Sequence, residues 1–210
     1  MEKDMKDKIA TLLEENKGKR KFTQSVEAAV NFRNVDFTKN VNRLNIEIKL
    51  RNGTGKVNKV AVFADDPSIA DKAKELGATI ISKSELTSVA GDKSRMNELL
   101  SYNLLAQPNL MPDIAKALGQ FLGPKNKMPR PLIGLDVAEV IKGSGNSIFI
   151  RSKGKYLPTI NCLIGNEKMS ADQIAENVDS VVDALAKKVG KQNIKSIYVK
   201  LTMSKPVRLL

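Results

Sequence analysis

The sequence predicts an α+β domain built from both chain ends, with an α/β domain inserted between them. Three observations predict it. Toward each end, strands alternate apolar and polar residues, as in Leu44-Asn45-Ile46-Glu47-Ile48-Lys49-Leu50 and Ile197-Tyr198-Val199-Lys200-Leu201, which is how a sheet with one wet face reads. In the middle, short apolar runs alternate with helical stretches, the pattern of a parallel sheet. With 210 residues the chain has room for two small domains. The expected division is 1–56 plus 155–210 for the end domain and 57–154 for the insert. The crossings, Asn52 to Gly55 and Ser152 to Lys155, both contain glycine, and two parallel connections of that kind would make a hinge.

Met5, Ile9, Leu12 and Leu13 recur at helical spacing before Gly18, so an amphipathic helix is expected over the first 17 or so residues. The basic cluster Lys17, Lys19, Arg20 and Lys21 follows. Between Phe22 and Phe32, Thr23, Ser25 and Glu27 alternate with Gln24, Val26 and Ala28, which suits a strand better than a helix. Val57 to Phe63 reads as an apolar strand, Pro67 to Leu76 as a helix ended by Gly77, and Ala78 to Ile81 as a second strand, together a βαβ unit. Asn97 to Leu100 and Met111 to Phe121 read as helices, with Leu104-Leu105-Ala106 as a short strand. Leu122 to Pro131 holds three prolines together with Lys125, Lys127 and Arg130, and is expected to be an irregular basic loop. Ile148 and Ile150 begin a strand, Gly154 allows a turn, and Ile160, Cys162 and Ile164 mark another strand. Ser170 and Gln173 form a capping box. It opens a helix in which Ile174, Val178, Val181 and Leu185 share one face and which Gly190 ends. The last strand buries Ile197, Val199, Leu201 and Met203 and turns Ser196, Tyr198, Lys200 and Thr202 the other way.

Composition narrows the function. The chain has no histidine and one cysteine, Cys162, which removes Ser-His-Asp and Cys-His triads, the usual zinc sites and any internal disulfide. The turn Ala64-Asp65-Asp66-Pro67-Ser68 lacks the glycines of a dinucleotide fingerprint, and its carboxylates would repel a pyrophosphate. Asp65 and Asp66 read better as acids at a helix N-terminus than as a Mg²⁺ site. No cofactor or catalysis is expected. Nor is a membrane: the opening residues mix acids and bases with no apolar region, and Cys162 is expected to stay reduced in the cytoplasm.

The formal charge of +12 points instead to a polyanion. From Ala184 to Leu210 there are seven bases, Lys187, Lys188, Lys191, Lys195, Lys200, Lys205 and Arg208, and no acid. If the termini share a domain, this block and Lys17 to Lys21 would line one face. Aromatic residues are only 4% of the chain, without tryptophan, so a base-stacking platform is not expected. Folded RNA, read by shape, phosphate and 2′-hydroxyl, fits better. Ser196, Tyr198 and Thr202 on one side of a strand would suit that reading, and equally an ordinary solvent face.

Four stretches carry a resemblance: Lys21-Phe22-Thr23-Gln24-Ser25, Leu122 to Pro129, Gly165-Asn166-Glu167-Lys168-Met169 and Ile197 to Met203. Together they resemble the ribosomal protein L1 family of the large subunit in its archaeal style. The resemblance implies a discontinuous α+β domain with an inserted three-layer, Rossmann-like α/β domain. It implies binding to the stalk region of large-subunit rRNA beside the tRNA exit site, help in releasing deacylated tRNA, and, in many members, repression of translation through their own mRNA. It also implies a protein monomeric when free. The alternative is an RNA-binding regulator acting mainly off the ribosome.

Carried over by position, the family's RNA surface falls on Phe22, Ser25, Glu27, Ser196, Thr202 and Met203, with Tyr198 in the hydroxyl row and Ser204 beside Met203 also expected to touch RNA. Arg20, Lys21, Lys168 and Lys205 are the expected phosphate contacts. A carboxylate facing RNA is favourable only where it accepts from a ribose hydroxyl or base amine, so Glu27 would confer specificity. Met203 has a rival reading as a core residue. Where the family usually has Gly-Pro-Ala after its Thr-Met pair, this chain has Ser204-Lys205-Pro206, which bears on how closely the backbone can approach RNA there. Arg51 and Thr54 replace a proline and an arginine of the family's common crossing segment.

Overall fold

The computed structural model describes residues 2–56, 59–132, 137–144, 146–152 and 157–210. In chain order the first elements are α1 (Glu2–Asn16), β1 (Ser25–Phe32), β2 (Asn45–Lys49), β3 (Val60–Phe63), α2 (Pro67–Glu75), β4 (Thr79–Ile81) and α3 (Lys83–Gly91). Then come α4 (Lys93–Leu99), β5 (Asn103–Ala106), α5 (Met111–Leu122), β6 (Arg130–Pro131) and α6 (Val137–Ser144). The last are β7 (Ser147–Arg151), β8 (Thr159–Asn166), α7 (Ala171–Val189), β9 (Ile194–Leu201) and β10 (Val207–Arg208). The expected start of the insert at Val57, the turn at Gly154 and the second crossing beyond Ser152 lie outside the described residues.

The chain divides into two compact units, Met1–Lys56 with Asn146–Leu210, and Val57–Gly145. In the first, an antiparallel sheet runs in the order β10-β9-β1-β8, so a strand from each end of the chain lies at its centre. Val26, Ala28 and Val30 of β1 pair with Leu201, Val199 and Ile197 of β9, and this face is buried against α1 and α7. Ile9 and Leu12 of α1 and Ile174, Val178, Val181 and Leu185 of α7 fill that core. Their three- and four-residue spacing puts them on single helix faces, and burying each side chain contributes about 1.5–3 kcal/mol. The Ser170 box forms as expected, with Gln173 N–H donating to Ser170 Oγ at 3.2 Å.

One expected boundary moves. β7, assigned by sequence to the insert, pairs antiparallel with β2, Ile46 facing Ile150 and Ile48 facing Ile148, and its isoleucines join the core of the end-formed unit. Their alternation marks a half-buried antiparallel strand, a pattern shared with the chain ends rather than with the middle.

The second unit is built on a parallel sheet, order β4-β3-β5-β6. All four residues of β3 are buried because helices cover both faces. Ala61 and Phe63 join Leu104 and Ala106 against α3, α4 and α5, while Val60, Val62 and Leu105 pack toward α2 and α6. The fold is therefore mixed α/β with a parallel sheet.

Two helices here carry weak sequence signals. α3 has a capping box, Ser82 N–H donating to Glu85 Oε2 at 3.1 Å, but only Leu86 and Val89 as its buried residues. α6 turns Ile141 into the core. The stretch Leu122 to Pro131, expected to be wholly irregular, ends in β6, where Arg130 and Pro131 pair with Leu105 and Ala106. Proline is tolerated there because β6 is an edge strand. Within the same stretch, Lys127 Nζ donates to the Tyr102 carbonyl at 3.3 Å.

Candidate nucleic-acid interface

The residues expected to touch RNA mostly converge on one end of the antiparallel sheet. β1 begins there at Ser25, next to the end of β9 on one side and the end of β8 on the other. Ser25 N–H donates to Thr202 Oγ1 at 3.1 Å, and Thr202 N–H donates to the Ser25 carbonyl at 3.1 Å. On the other flank Ser25 lies opposite Asn166, and the chain turns through Glu167 and Lys168. Three strand ends thus bring Phe22, Ser25, Lys168, Thr202, Met203 and Lys205 into one neighbourhood.

Phe22 is 51% exposed and Met203 56% exposed. Met203 therefore lies outside the apolar row of β9, which corrects its reading as a core residue: the strand ends at Leu201 and the turn carries Met203 outward. Beside it a depression of about 490 Å³ is lined by Asn16, Lys19, Arg20, Gln24, Met203, Ser204 and Lys205, with no carboxylate in its wall. Among the described residues no ion pair involves Lys19, Arg20, Lys21, Lys168 or Lys205.

Ser204 closes the Met203 turn, its Oγ accepting from Leu201 N–H at 2.8 Å. Its φ is not positive, so the turn needs no glycine and a serine satisfies a strand-end donor instead. Gln24 and Asn166 had no part in the expected site. Gln24 is 1% exposed, accepts from Met203 N–H at 3.1 Å and donates to Glu167 Oε2 at 3.2 Å. Asn166 Oδ1 accepts from Lys168 N–H at 2.9 Å, and its Nδ2 donates to the Gly55 carbonyl at 2.7 Å. The only sequence signal for either is membership of a stretch that resembles the family, since a buried amide in a polar stretch looks like a surface residue.

The other expected residues sit farther along the sheet. Ser196 is buried, and its Oγ accepts from Asn31 Nδ2 at 3.0 Å, so it offers no exposed hydroxyl. It also stands six residues before Thr202, about 20 Å along the strand. Tyr198 is half-buried, paired with Ala29 and Arg208 toward the middle of the sheet. Glu27 does lie on the open face, half-buried and opposite Lys200. Finally, the basic block does not line one face. Lys187, Lys188, Lys191 and Lys195 cluster about the end of α7 and the start of β9, and only Lys200 and Lys205 come near the Ser25 end.

Elsewhere, the acids of the expected βαβ turn are engaged within the fold. Asp66 caps α2, accepting from Ser68 N–H at 2.9 Å, and Asp65 accepts from Lys83 N–H at 2.9 Å, at the start of α3. Among the described residues no cluster of His, Cys, Asp or Glu could hold a metal ion, and no helix is long and apolar enough to cross a membrane. Cys162 is buried in the core, and burial, with a smaller contribution from the Glu27 charge, pushes its thiol up to about 12. A neutral thiol is a poor nucleophile.

A family model described as the ribosomal protein L1p/L10e family matches residues 12–205. The chain belongs to the ribosomal L1 family. It is 39% identical over 202 residues to the large ribosomal subunit protein uL1 of Thermoplasma acidophilum, covering 94% of this chain and 92% of the relative. The uL1 protein of Pyrococcus horikoshii is 37% identical over 213 residues, 97% and 96% of the two chains. That of Thermofilum pendens is 41% identical over 212 residues, 98% and 92%. These archaeal relatives accord with the archaeal style of the motifs. The L1 family is structural and not enzymatic.

Proposed function

We propose that this protein is a structural constituent of the large ribosomal subunit in the cytoplasm. It binds the stalk region of large-subunit rRNA through the Ser25–Thr202 edge. The observation that carries the reading is the reciprocal pairing of Ser25 with Thr202, which gathers two exposed apolar side chains and a set of unpaired cations at one sheet end. Folded RNA offers phosphates for Lys19, Arg20, Lys21, Lys168 and Lys205, and a shallow minor groove whose 2′-hydroxyls exchange hydrogen bonds with Ser25 and Thr202. Phe22 packs on a sugar or base edge, Met203 beside it. Glu27, farther along the open face, accepts from a ribose hydroxyl or base amine and rejects RNA that lacks one there.

The same reading has finer parts. The subunit-bound protein stands beside the tRNA exit site and helps deacylated tRNA leave, and a similar fold in its own mRNA binds the same edge and represses translation. The two compact units are domains, 57–145 being inserted into the RNA-binding one, and the free protein is a monomer.

The test is equilibrium binding of the full chain to a stalk-region rRNA fragment and to a shuffled duplex of equal length, over a range of salt. The stalk fragment should bind at least about 10³-fold tighter, with log K falling against log salt at a slope of about −3 to −4 for four or five phosphate contacts. Equal affinity for both RNAs would remove the specific reading and leave a generic cationic surface.

A further inference from the structure

We infer that Gln24 is a positioning residue for RNA recognition, its buried amide fixing the Met203 turn and the Glu167 turn relative to each other on the two flanks of β1. The inference rests on the RNA-binding reading of this edge. A glutamine amide presents an acceptor at one end and a donor at the other. Here Oε1 accepts from Met203 N–H at 3.1 Å while Nε2 donates to Glu167 Oε2 at 3.2 Å. The Gln24 carbonyl accepts from Glu167 N–H at 3.0 Å as well. Turning the amide over would set a donor against an N–H and an acceptor against a carboxylate, so the two partners hold it in one orientation.

Each turn is already closed within itself. Ser204 Oγ accepts from Leu201 N–H at 2.8 Å in one, and Asn166 Oδ1 accepts from Lys168 N–H at 2.9 Å in the other. The freedom left beyond the strand ladder is the placement of one turn against the other, and Gln24 bonds to both. Lys168 lies in one turn and Lys205 follows the other, so a clamp between them sets the spacing of two phosphate contacts. Gln24 is 1% exposed and acts through the two turns without touching RNA.

The test is a swap of polarity. Gln24→Glu keeps the acceptor for Met203 but sets a carboxylate against Glu167, and adding Glu167→Gln restores one donor and one acceptor with the roles reversed. Net charge changes affinity for any RNA, so the quantity read is the ratio of affinities for the stalk fragment and the shuffled duplex, with Glu167→Gln alone as the charge control. The ratio should fall about tenfold in Gln24→Glu and return to within about threefold of the parent in the double variant. An unchanged ratio in the single variant, or no recovery in the double, overturns the inference. Hydrogen exchange at the Met203 amide of the free protein is the second readout. It should speed up in Gln24→Glu and slow again in the swap, and exchange that stays the same in all three chains overturns the clamp. A parent chain with no preference for the stalk fragment would sink the functional reading, and the exchange result alone would then decide the clamp.

Discussion

Ser196 and Thr202 look alike in sequence: two small hydroxyls, six residues apart, in one alternating row. Their surroundings are opposite. Ser196 lies in a closed polar ladder across three strands, its Oγ accepting from Asn31 Nδ2 while Thr159 Oγ1 donates to Asn31 Oδ1 at 2.8 Å. Thr202 stands just past the end of β9, exposed, with its Oγ1 touching only the backbone of Ser25. A buried hydroxyl whose partner is a side chain of the next strand serves the sheet, whereas an exposed one at a strand end keeps bonding capacity for something outside. The cations sort the same way, with Lys19, Arg20 and Lys205 around the depression at one end and Lys188, Lys191 and Lys195 at the other.

The largest expected effect sharpens that contrast between the two ends. Replacing Lys19, Arg20 and Lys205 together by alanine should flatten the slope of log K against log salt by about 2 to 3 for a stalk-region RNA. The same treatment of Lys188, Lys191 and Lys195 should change it by less than about 0.5. Equal losses from the two triplets would mean that charge is read over the whole unit and that the Ser25 edge is nothing special. A smaller effect is expected from one hydroxyl. Thr202→Val keeps the shape of the turn while removing an acceptor and a donor, and should weaken stalk binding by about 1–3 kcal/mol with little change in the unfolding midpoint. Unaltered affinity in a titration would take Thr202 out of the interface.

How much of this was legible in the sequence depends on how far each feature depends on neighbours in space. The strands of the end-formed unit and α7 were legible because alternation and three-four spacing are local, and so was the capping box at Ser170. α3 and α6 were not, since each turns few apolar residues inward and gives little periodic signal. β7 falls on the insert's side of a crossing set by the glycine-containing stretch after Ser152, although Ile148 and Ile150 carry the half-buried pattern of the chain ends. Of the candidate site, Phe22, Ser25, Lys168 and Thr202 lie in the motifs that carry the family resemblance, whereas Lys205 stands in a segment that departs from the family and is legible only as a base. Their convergence became visible only when β1 paired with β9. The burial of Ser196 depends on Asn31, which lies 165 residues away, and alternation along one strand cannot reveal a partner on the next. The clamp by Gln24 was out of reach for the same reason.

The smallest effect is the one that separates the two hydroxyls most sharply. Ser196→Ala removes the acceptor of Asn31 Nδ2, yet Asn31 keeps its bond from Thr159 and is only half-buried, so water can replace part of what is lost. The cost should fall at the low end for an unpaired group, about 1 kcal/mol in a denaturant-unfolding measurement. Because Ser196 is buried about 20 Å along the strand from Thr202, RNA affinity should stay within about twofold, well below the change that one lost hydrogen bond produces. The reverse result, unchanged stability with weakened binding, would place the Ser196 hydroxyl against RNA. The ladder through Asn31 would then have to open on binding, and the distinction between the two ends of the sheet would be one the ligand erases.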